Sequence, residues 1–282
     1  MAAGTASRFV PLSEERPKGL LEVKGEVLIE RQIRQLHEAG IKDITVVTGY
    51  KAAMFEYLRE KYGVETVLNE DYSKYNNTSS IIRVLDRLSD TLICCSDHYF
   101  SKNVFLEPAK ESYYAALYAE GSTGEYCLRT DKDDFITGVT VGGNDAWYMA
   151  GHVFFTDAFS RKFRDIMQAA YQDENVRNGY WEDVYISHLQ ELPMLLRRYS
   201  ENDLFEFDTL DELRHFDASY VDDTRSSIIK EIANTLSCDE GQLHEFKRIK
   251  HEGDYLLFSF REEKKQYIYD SRTPNKITIY ND

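Results

Sequence analysis

Residues 27–50 read VLIERQIRQLHEAGIKDITVVTGY, and their pattern is the strongest indication of the fold class. Apolar side chains recur at helical spacing from Val27 to Ala39, and Gly40 then ends the helical pattern. The following ITVVTGY, residues 44–50, is the short apolar run of a buried strand. A helix that leads directly into a buried strand is typical of the repeating unit of an α/β protein.

The same alternation continues toward the C-terminus. It predicts helices at about 51–62 and 78–88, and strands at VETVL (64–68) and TLICC (91–95). This order predicts a parallel sheet with helices on both faces. After residue 110 the segments are rich in strand-forming residues and are separated by Gly, Asp and Asn clusters, which predicts an antiparallel extension of the sheet.

Two domains are expected from the order of elements. Residues 1–216 form a Rossmann-like α/β domain with a mixed sheet, and residues 217–282 form a small α+β appendage. The appendage offers one helix, in DTRSSIIKEIANTL, and two strands, in DYLLFSF and KQYIYDS. A segment of this size buries little apolar surface alone.

Composition excludes several classes of function. The chain has 282 residues, with 49 acidic and 34 basic side chains, and its net charge of −15 repels nucleic acid and anionic membranes. The four cysteines show no C-x-x-C spacing, so neither a zinc site nor a disulfide framework is indicated, and we expect a reduced, cytoplasmic protein. We find no membrane-spanning stretch and no secretory signal. A small phosphorylated substrate is compatible with these properties.

The N-terminal segment MAAGTASRFVPLSEERPKGLLEV, residues 1–23, carries the strongest chemical signal. Small residues let backbone N–H groups approach phosphates, and Arg8 and Lys18 supply the opposite charge. The alternative is that Gly4 ends a tight turn and both cations are solvated. The complete pattern A-A-G-x-x-S-R-F-x-P-L-x(4)-P-K favours a triphosphate-binding loop.

This pattern resembles the signature loop of the nucleotidyltransferases that make sugar nucleotides and CDP-alcohols. Bacterial CTP:phosphocholine cytidylyltransferases are the most similar group. The resemblance implies CTP as the nucleotide, Mg²⁺ as the cofactor, and Arg8 and Lys18 as the catalytic cations on the phosphates. It also implies nucleotide contacts, largely through backbone, by Ala2, Ala3, Gly4 and Thr5.

Two features depart from the family pattern. Ala6 stands where the family usually has a second glycine, and we expect its φ to be negative. Family members also begin with a strand of about five apolar residues before A-A-G, whereas this sequence starts within the motif at Met1. Either the start is assigned too late or this is a truncated form. We therefore expect the first, central strand to be absent and its neighbours in the sheet to lack a partner.

Two aspartates are candidate metal ligands. Asp97 follows the apolar strand in LICCSDHYFSKN (92–103), at the carboxyl edge of a parallel sheet, where carboxylates suit Mg²⁺. The alternative is a cap on a following helix. The resemblance supports Asp97 and adds Asp208 as the second ligand, with Ser96 beside the nucleotide. Asp208 or Thr209 as a helix N-cap is the rival interpretation.

The segment NEDYSKYNNTSSII (69–82) resembles the family's Tyr-Asn-Asn stretch, which lies near nucleotide and acceptor. Asn77 is therefore a candidate contact, and a helix cap is its alternative. A choline-type acceptor is held against aromatic faces, at roughly 0.5–2 kcal/mol per ring. The candidate aromatic and acidic residues for the acceptor are Glu125, Tyr126, Trp147, Tyr148, Tyr180, Trp181, Glu182 and Asp183.

Tyr126 and Trp181 fall where similar cytidylyltransferases place aromatic cage residues, and the alternative for each aromatic residue is a place in the core. Phosphocholine is the expected acceptor. Phosphoethanolamine or an aminoalkylphosphonate also fits an acidic, aromatic pocket. A sugar-1-phosphate nucleotidyltransferase and a catalytically inactive nucleotide-binding protein are the remaining alternatives.

The C-terminal segment resembles the beginning of a choline-kinase N-lobe. The resemblance ends after the second strand, where the small-residue turn of the kinase is replaced by residues 251–254, HEGD. No catalytic segment of the kinase follows, so we expect no kinase activity. The segment either packs on the transferase domain or pairs two subunits in a homodimer.

Overall fold

The computed structural model describes residues 1–273 and 276–280, and the elements given below are those of this part of the chain. Its strands are β1 Glu22–Val23, β2 Glu26–Val27, β3 Thr45–Thr48, β4 Glu65–Leu68, β5 Thr91–Ile93, β6 Tyr99–Phe100, β7 Tyr113–Thr130, β8 Ile136–Phe155, β9 Leu195–Arg198, β10 Leu204–Phe205, β11 Leu243–Arg248, β12 Leu257–Glu262, β13 Lys265–Asp270 and β14 Ile277–Ile279.

The helices of the same residues are mostly short. They are α1 Leu12–Glu15, α2 Leu28–Glu38, α3 Tyr57–Tyr62, α4 Thr78–Ile81, α5 Asp157–Ala170, α6 Glu174–Asn178, α7 Trp181–Ser187, α8 Leu210–Phe216, α9 Ser219–Asp222 and α10 Ser227–Leu236. Single turns of 3₁₀ helix lie at Ser7–Phe9, Lys18–Leu20, Ala52–Phe55, Val104–Leu106 and Glu240–Gln242, with a longer one at Ile82–Arg87.

The chain divides into two compact units. The first unit contains Met1–Gly4 and Ile29–Phe205, and the second unit contains Thr5–Leu28 and Glu206–Asp282. This division differs from the predicted boundary between residues 216 and 217. The difference arises because the segment Thr5–Leu28 makes its contacts with the C-terminal part of the chain, which no local sequence pattern reveals.

Helix α2 confirms the predicted pattern. Its residues Leu28, Ile29 and Ile33 are buried, and they recur at the spacing that places apolar side chains on one face. Gly40 follows the helix with a φ of 83°, the left-handed conformation that commonly terminates helices. Strand β3 comes next, with Val46 and Val47 buried.

A four-stranded sheet forms the centre of the first unit. Its order is β5-β8-β7-β9; β8 is antiparallel to β5 and β7, and β9 is parallel to β7. The four strand-rich segments predicted after residue 110 merge into the two long strands β7 and β8, which several register shifts interrupt. Helices α5 and α7 add Phe163 and Trp181 to the core beneath Phe155 of β8.

Strands β3 and β4 form a separate parallel pair, as the βαβ pattern predicts. β5 lies at the end of the four-stranded sheet, and β3 is hydrogen-bonded as a strand only to β4 among the described residues. A cavity of about 570 Å³, lined mainly by apolar side chains, lies beside both strands. We call it the strand slot; its lining includes Met1, Val47, Ile81, Val84 and Ile93.

The strand slot lies where the predicted single sheet is divided into the β3-β4 pair and the four-stranded sheet. Within the described residues no strand lies between β3 and β5. The first residues of the chain also reach this region. The N-terminal amine of Met1 donates to the Cys94 carbonyl oxygen at 2.5 Å, and Ala2 forms an isolated parallel bridge with Thr48.

The second unit contains an antiparallel sheet of order β11-β12-β13-β14. The predicted strands DYLLFSF and KQYIYDS correspond to β12 and β13, and the predicted helix corresponds to α10. Phe246, Phe258 and Phe260 pack together on this sheet. Among the described residues of the whole chain, none of the helices has both the length and the apolar character that a bilayer crossing requires.

Candidate active site

The start of the chain lies along the end of β3. The Ala2 backbone N–H donates to the Val47 carbonyl oxygen at 2.8 Å, and the Tyr50 N–H donates to the Ala3 carbonyl oxygen at 3.0 Å. Both alanines are buried, whereas Gly4 is exposed. The predicted nucleotide loop therefore leaves the first unit from the carboxyl end of β3, where ligand sites form in α/β proteins.

Gly49 is a further residue of this site, one that sequence reasoning missed. A Cβ atom at this position would lie 2.9 Å from the Ala3 carbonyl oxygen and 2.6 Å from the Tyr72 Cβ atom. Only glycine thus lets the alanine pair approach the chain after β3 so closely. The sequence pattern that could have identified Gly49 is a glycine directly after a buried strand, at the carboxyl edge of the parallel sheet where ligand sites form.

Ala6 contradicts the expected conformation. Its φ and ψ are 48° and 47°, in the left-handed region, where we had expected a negative φ. The residue immediately precedes the 3₁₀ turn Ser7–Phe9, and both belong to the second unit, which begins at Thr5. The backbone therefore keeps the glycine-like conformation of the family while the side chain adds a methyl group, which costs roughly 1–2 kcal/mol.

Replacing Ala6 with glycine is expected to raise the free energy of unfolding by about 1 kcal/mol, because glycine adopts this conformation without steric cost. Chemical denaturation measures the change. Ala169→Gly is the matched control, since Ala169 lies in helix α5, where glycine is expected to lower stability by about 1 kcal/mol. Equal losses of stability in both variants would contradict the strain at Ala6.

The structure brings together Arg8, Lys18 and Asp208, all in the second unit. Arg8 Nη1 lies 2.6 Å from Asp208 Oδ2, and Lys18 Nζ lies 3.8 Å from Asp208 Oδ1 and 3.5 Å from Glu206 Oε1. The Lys18 side chain is 8% exposed, whereas that of Arg8 is 74% exposed. We call Arg8 and Lys18 the cation pair: one member is fixed and buried, and the other is accessible.

The carboxylate of Asp208 is directed at the cation pair rather than at a helix end. Thr209 is the N-cap of α8, because its Oγ1 atom accepts the Glu212 N–H at 3.2 Å. The backbone N–H of Asp208 donates to Glu212 Oε2 at 2.7 Å. Burial raises the pKa of Asp208, while Lys18 and Arg8 oppose this shift. The rival interpretation of Asp208 as the cap is therefore not supported.

Contacts within the second unit hold the segment Thr5–Leu28. Ser227, at the start of α10, donates through its backbone N–H to Glu15 Oε1 at 2.8 Å and through its hydroxyl to the same oxygen. Arg248 forms an ion pair with Glu14, and the Tyr220 hydroxyl donates to the Glu22 carbonyl oxygen at 2.7 Å. The C-terminal segment thus fastens both sides of the stretch that carries Lys18.

Asp97 lies just after β5, as predicted, and the next element is strand β6. The helix-cap alternative is therefore excluded for this residue. Asp97 is half-buried, and the ligand atoms of Cys95, Asp97 and His98 all lie within 4.8 Å of one another. Neighbouring Ser96 is buried, with its backbone N–H donating to the Met1 carbonyl oxygen at 3.0 Å. This donor set is able to hold a cation.

Asn77 connects the segment before α4 to helix α7. Its Nδ2 atom donates to Glu182 Oε2 at 3.0 Å, and its Oδ1 atom accepts the Trp181 N–H at 2.8 Å. Asn77 occupies the N-cap position of α4, but its side chain makes no capping hydrogen bond. It therefore positions the start of α7, and the interpretation as a capping side chain is not supported.

An aromatic and acidic surface lies beside Asn77. The rings of Tyr126 and Tyr180 meet edge to face, with centroids 6.4 Å apart. The Tyr126 hydroxyl donates to Asp183 Oδ1 at 3.3 Å, and the Tyr180 N–H donates to Asp183 Oδ2 at 2.8 Å. Tyr180 is 44% exposed, and Tyr126 is half-buried. We call Asn77, Tyr126, Tyr180, Glu182 and Asp183 the acceptor patch.

Glu182 is the acceptor-patch residue with the most perturbed charge. Although part of the residue remains exposed, burial of its carboxylate raises its pKa to about 7. Hydrogen bonds oppose the shift, and they come from Asn77 and from the Tyr114 hydroxyl, which lies 3.2 Å from Glu182 Oε1. A group that is near its midpoint at neutral pH responds to an approaching cation by losing its proton.

The predicted acceptor contacts of Trp181 and Trp147 require revision, and two further candidates, Glu125 and Tyr148, lie outside the acceptor patch. Trp181 is only 2% exposed, and its ring packs against Tyr114, Phe155 and Phe163. Trp181 therefore belongs to the core and offers no open face to a ligand. One face of Trp147 is covered by the Arg198 guanidinium, 5.4 Å from the ring centroid, and its ring also contacts Tyr118. Glu125 is exposed on β7, and Tyr148 is half-buried on β8.

Comparison with known proteins identifies the family. The family model described as "MobA-like NTP transferase domain" matches residues 1–181, more than half of the chain. This chain belongs to the MobA-like NTP transferase family. It is a nucleotidyltransferase.

Curated relatives and a solved structure agree with this assignment. The choline-phosphate cytidylyltransferase of Streptococcus pneumoniae is 31% identical over 76% of this chain and 93% of its own length. The 2-aminoethylphosphonate cytidylyltransferase of Lancefieldella rimae is 34% identical over 78% of this chain and 92% of its own. The solved structure of CTP:phosphocholine cytidylyltransferase from Streptococcus pneumoniae superposes with a TM-score of 0.73 at 32% identity, covering 76% of this chain and 94% of that one. These matches confirm the nucleotidyltransferase fold.

The pKa of Glu182 gives this nucleotidyltransferase a pH-dependent stability. The ordinary pKa is 4.5 and the folded value is about 7, so the folded state holds the proton more tightly. The resulting stabilisation is complete below pH 4.5 and is lost as the pH rises through 7. We expect the free energy of unfolding to fall by about 2 kcal/mol from pH 5 to pH 8 on account of this group.

Denaturation of Glu182→Gln at both pH values tests this expectation, because glutamine cannot titrate. The variant should lack the fall of about 2 kcal/mol that the wild type shows. Glu174→Gln serves as the control, since Glu174 is exposed in the neighbouring helix α6. Identical pH dependences of the wild type and Glu182→Gln would show that Glu182 is ionised normally.

Proposed function

We propose that this nucleotidyltransferase transfers CMP from CTP to phosphocholine with the help of Mg²⁺, giving CDP-choline and pyrophosphate. The observation that carries the choice of acceptor is the acceptor patch, where the rings of exposed Tyr180 and half-buried Tyr126 adjoin carboxylates whose oxygens already accept hydrogen bonds. Support for the nucleotide comes from the choline-phosphate cytidylyltransferase relative that is 31% identical.

The hydrogen bonding of the acceptor patch favours a quaternary ammonium group. Asp183 accepts from Tyr126 and from the Tyr180 backbone, and Glu182 accepts from Asn77 and Tyr114. A trimethylammonium group needs no hydrogen-bond acceptor, whereas a primary ammonium has three donors to satisfy. Aromatic faces attract the quaternary cation, and the nearby carboxylates add long-range charge compensation.

The cation pair is proposed to bind the triphosphate. In the ligand-free protein Arg8 is paired with Asp208, so an incoming triphosphate competes with this carboxylate for the accessible guanidinium. Lys18 is buried at 8% exposure and stays in place as a fixed positive charge. Binding of the nucleotide would therefore release Asp208 from Arg8 and make its carboxylate available.

Asp97 and Asp208 are the proposed Mg²⁺ ligands, the pair that the sequence resemblance implies. Carboxylate oxygens are the ligands that Mg²⁺ prefers, and a bound ion would neutralise phosphate charge. The residues of the chain contribute position and charge. Arg8 and Lys18 stabilise the charge that develops on the phosphates, and the acceptor patch holds the amino alcohol.

No general base is required for the proposed reaction. The acceptor phosphate is largely ionised at neutral pH, since its second pKa is about 6. One of its oxygens attacks the α-phosphorus of CTP, the bond to the β-phosphate oxygen breaks, and pyrophosphate leaves with that electron pair. Catalysis then rests on alignment and on charge neutralisation, the roles to which the cation pair and the aspartates are suited.

Pyrophosphate release with CTP and a panel of acceptors tests the proposal. We expect the highest kcat/KM with phosphocholine, compared with phosphoethanolamine and 2-aminoethylphosphonate. Tyr180→Leu should raise the KM for phosphocholine about 10-fold, since it removes a ring face worth roughly 1–2 kcal/mol. Tyr118→Leu is the matched control, because Tyr118 is equally exposed but contacts Trp147. A nucleotide other than CTP, or an unchanged KM in Tyr180→Leu, would contradict the proposal.

A second candidate acceptor is 2-aminoethylphosphonate. It is favoured by the relative from Lancefieldella rimae, which is 34% identical, and by the presence of two carboxylates in the acceptor patch. The two acceptors are separated by Asp183→Asn. A primary amine that hydrogen-bonds to this carboxylate would lose most of its affinity, whereas phosphocholine would lose little.

The role of residues 217–282 is proposed to be positional. Ser227 and Arg248 of this segment contact Glu15 and Glu14, which precede Lys18 in the chain. The segment would thereby keep the cation pair in place before the nucleotide binds. This assigns a function to a segment that resembles the start of a kinase lobe but that we expect to have no kinase activity.

Glu15→Ala is expected to raise the KM for CTP about 5–10-fold. Hydrogen bonds to a charged group are worth about 1.5–3 kcal/mol, and losing them leaves the segment that carries Lys18 less ordered before CTP binds. Steady-state kinetics with CTP as the varied substrate measure it. Glu263→Ala, in the exposed turn between β12 and β13, is the control. An equal KM for CTP in the two variants would contradict the positional role proposed for residues 217–282.

A further inference from the structure

We propose that Cys95, Asp97 and His98 form a binding site for a transition-metal ion of the zinc class. Their ligand atoms, one thiol sulfur, one carboxylate oxygen and one imidazole nitrogen, lie within 4.8 Å of one another. The ligand atoms of a tetrahedral zinc ion are separated by roughly 3.5 Å. Side-chain rotations that move the three ligand atoms by about 1 Å would therefore bring them to coordination distance. Zinc binding would stand whether or not the acceptor is phosphocholine.

Gln32 of helix α2 organises the segment from which the three ligands project. Its Nε2 atom donates to the Cys95 carbonyl oxygen at 2.7 Å and to the His98 carbonyl oxygen at 2.8 Å, and Gln32 is 4% exposed. The His98 N–H donates to the Cys95 carbonyl oxygen at 3.4 Å. This clamp fixes the turn and reduces the ordering that metal binding would otherwise require.

Gly151 of strand β8 leaves room for the sulfur and the imidazole. A Cβ atom at this position would lie 3.3 Å from Cys95 Sγ and 3.3 Å from His98 Nε2, so both atoms converge on the same backbone. The Cys95 thiol also donates to the Gly151 carbonyl oxygen at 3.5 Å. The φ of Gly151 is 65°, which L-residues rarely adopt.

The donor set determines which metal is favoured. Thiolate and imidazole suit Zn²⁺ and Co²⁺, whereas Mg²⁺ is bound by oxygen ligands and keeps most of its waters. Three protein ligands leave a fourth position open for water, as in zinc sites that exchange ligands. Asp97 is also the proposed magnesium ligand, so zinc is expected to exclude Mg²⁺ from this carboxylate.

Cobalt and zinc binding to the full-length protein test the site directly. Titration with Co²⁺ should produce a thiolate-to-cobalt charge-transfer band with a stoichiometry of one ion per chain, and Zn²⁺ should remove the band. Cys95→Ser should abolish the band, and Asp97→Asn should weaken Zn²⁺ binding by at least about 10–100-fold, the loss that even outer-shell changes produce. Cys238→Ser is the control, because Cys238 lies in the second unit.

The result is independent of catalysis, since it is read from absorbance and calorimetry. His98 is 2% exposed, so a His98 variant may be used only if its thermal transition matches that of the wild type, while Cys95→Ser preserves the size of the side chain. A cobalt band that survives in Cys95→Ser and disappears in Cys238→Ser would overturn the site. So would zinc binding of equal strength in the wild type and Asp97→Asn.

Discussion

Asp97→Asn is expected to lower kcat by roughly 100–1,000-fold, because Asp97 is the proposed ligand of the catalytic cation and such a carboxylate contributes several kcal/mol to the transition state. Pyrophosphate release from CTP and phosphocholine measures the effect. Asparagine keeps the shape of the side chain and removes its charge. The half-buried position of Asp97 after β5 carries little packing, so we expect the thermal transition to remain close to that of the wild type.

Asp86→Asn is the matched control for this prediction. Asp86 is an exposed carboxylate of the same unit, in the 3₁₀ segment before β5, and its charge change alters the net charge equally. We expect full turnover from this variant. Full turnover in Asp97→Asn as well would remove Asp97 from the catalytic machinery, whatever the outcome of the zinc experiment.

An apolar strand placed before Met1 is expected to raise the free energy of unfolding by about 3–4 kcal/mol. Five β-branched residues added before Met1 would lie in the strand slot beside β3 and β5, which are not paired with each other within the described residues. Each buried apolar side chain contributes roughly 1.5–3 kcal/mol, and ordering a residue costs about 1.5 kcal/mol. Thermal and denaturant unfolding of the extended protein measure the gain.

The contacts of Met1 and Ala2 at the end of the slot determine the direction of such a strand. Ala2 forms a parallel bridge with Thr48, and the Met1 carbonyl oxygen accepts the Ser96 N–H, so the first two residues contact both sides. A five-residue Gly-Ser extension is the control, because it offers the same backbone without apolar side chains. Equal stability of the two extended proteins would show that the slot accepts no strand.

The exposure of the candidate aromatic residues could not be predicted from the sequence. Tyr180 and Trp181 are adjacent, and both were candidates for the acceptor, yet one is 44% exposed and the other is 2% exposed. Their places follow from the start of helix α7, where Asn77 binds the Trp181 backbone across more than one hundred residues. Such a contact leaves no trace in the local pattern. Ala6 is similar, because its positive φ was not predicted from its neighbours in sequence.

The sequence by itself determined the α/β alternation, the N-terminal motif that resembles the family's signature loop, and the position of Asp97 after β5. These features rest on side-chain periodicity and on the spacing of residues a few positions apart, and both are local properties. Only the tertiary structure decided that Arg8 and Lys18 share Asp208, that the Glu182 carboxylate accepts a hydrogen bond from Asn77, and that β3 and β5 are separated by a slot. Those features depend on contacts between distant segments, whose energies arise only when the chain is packed.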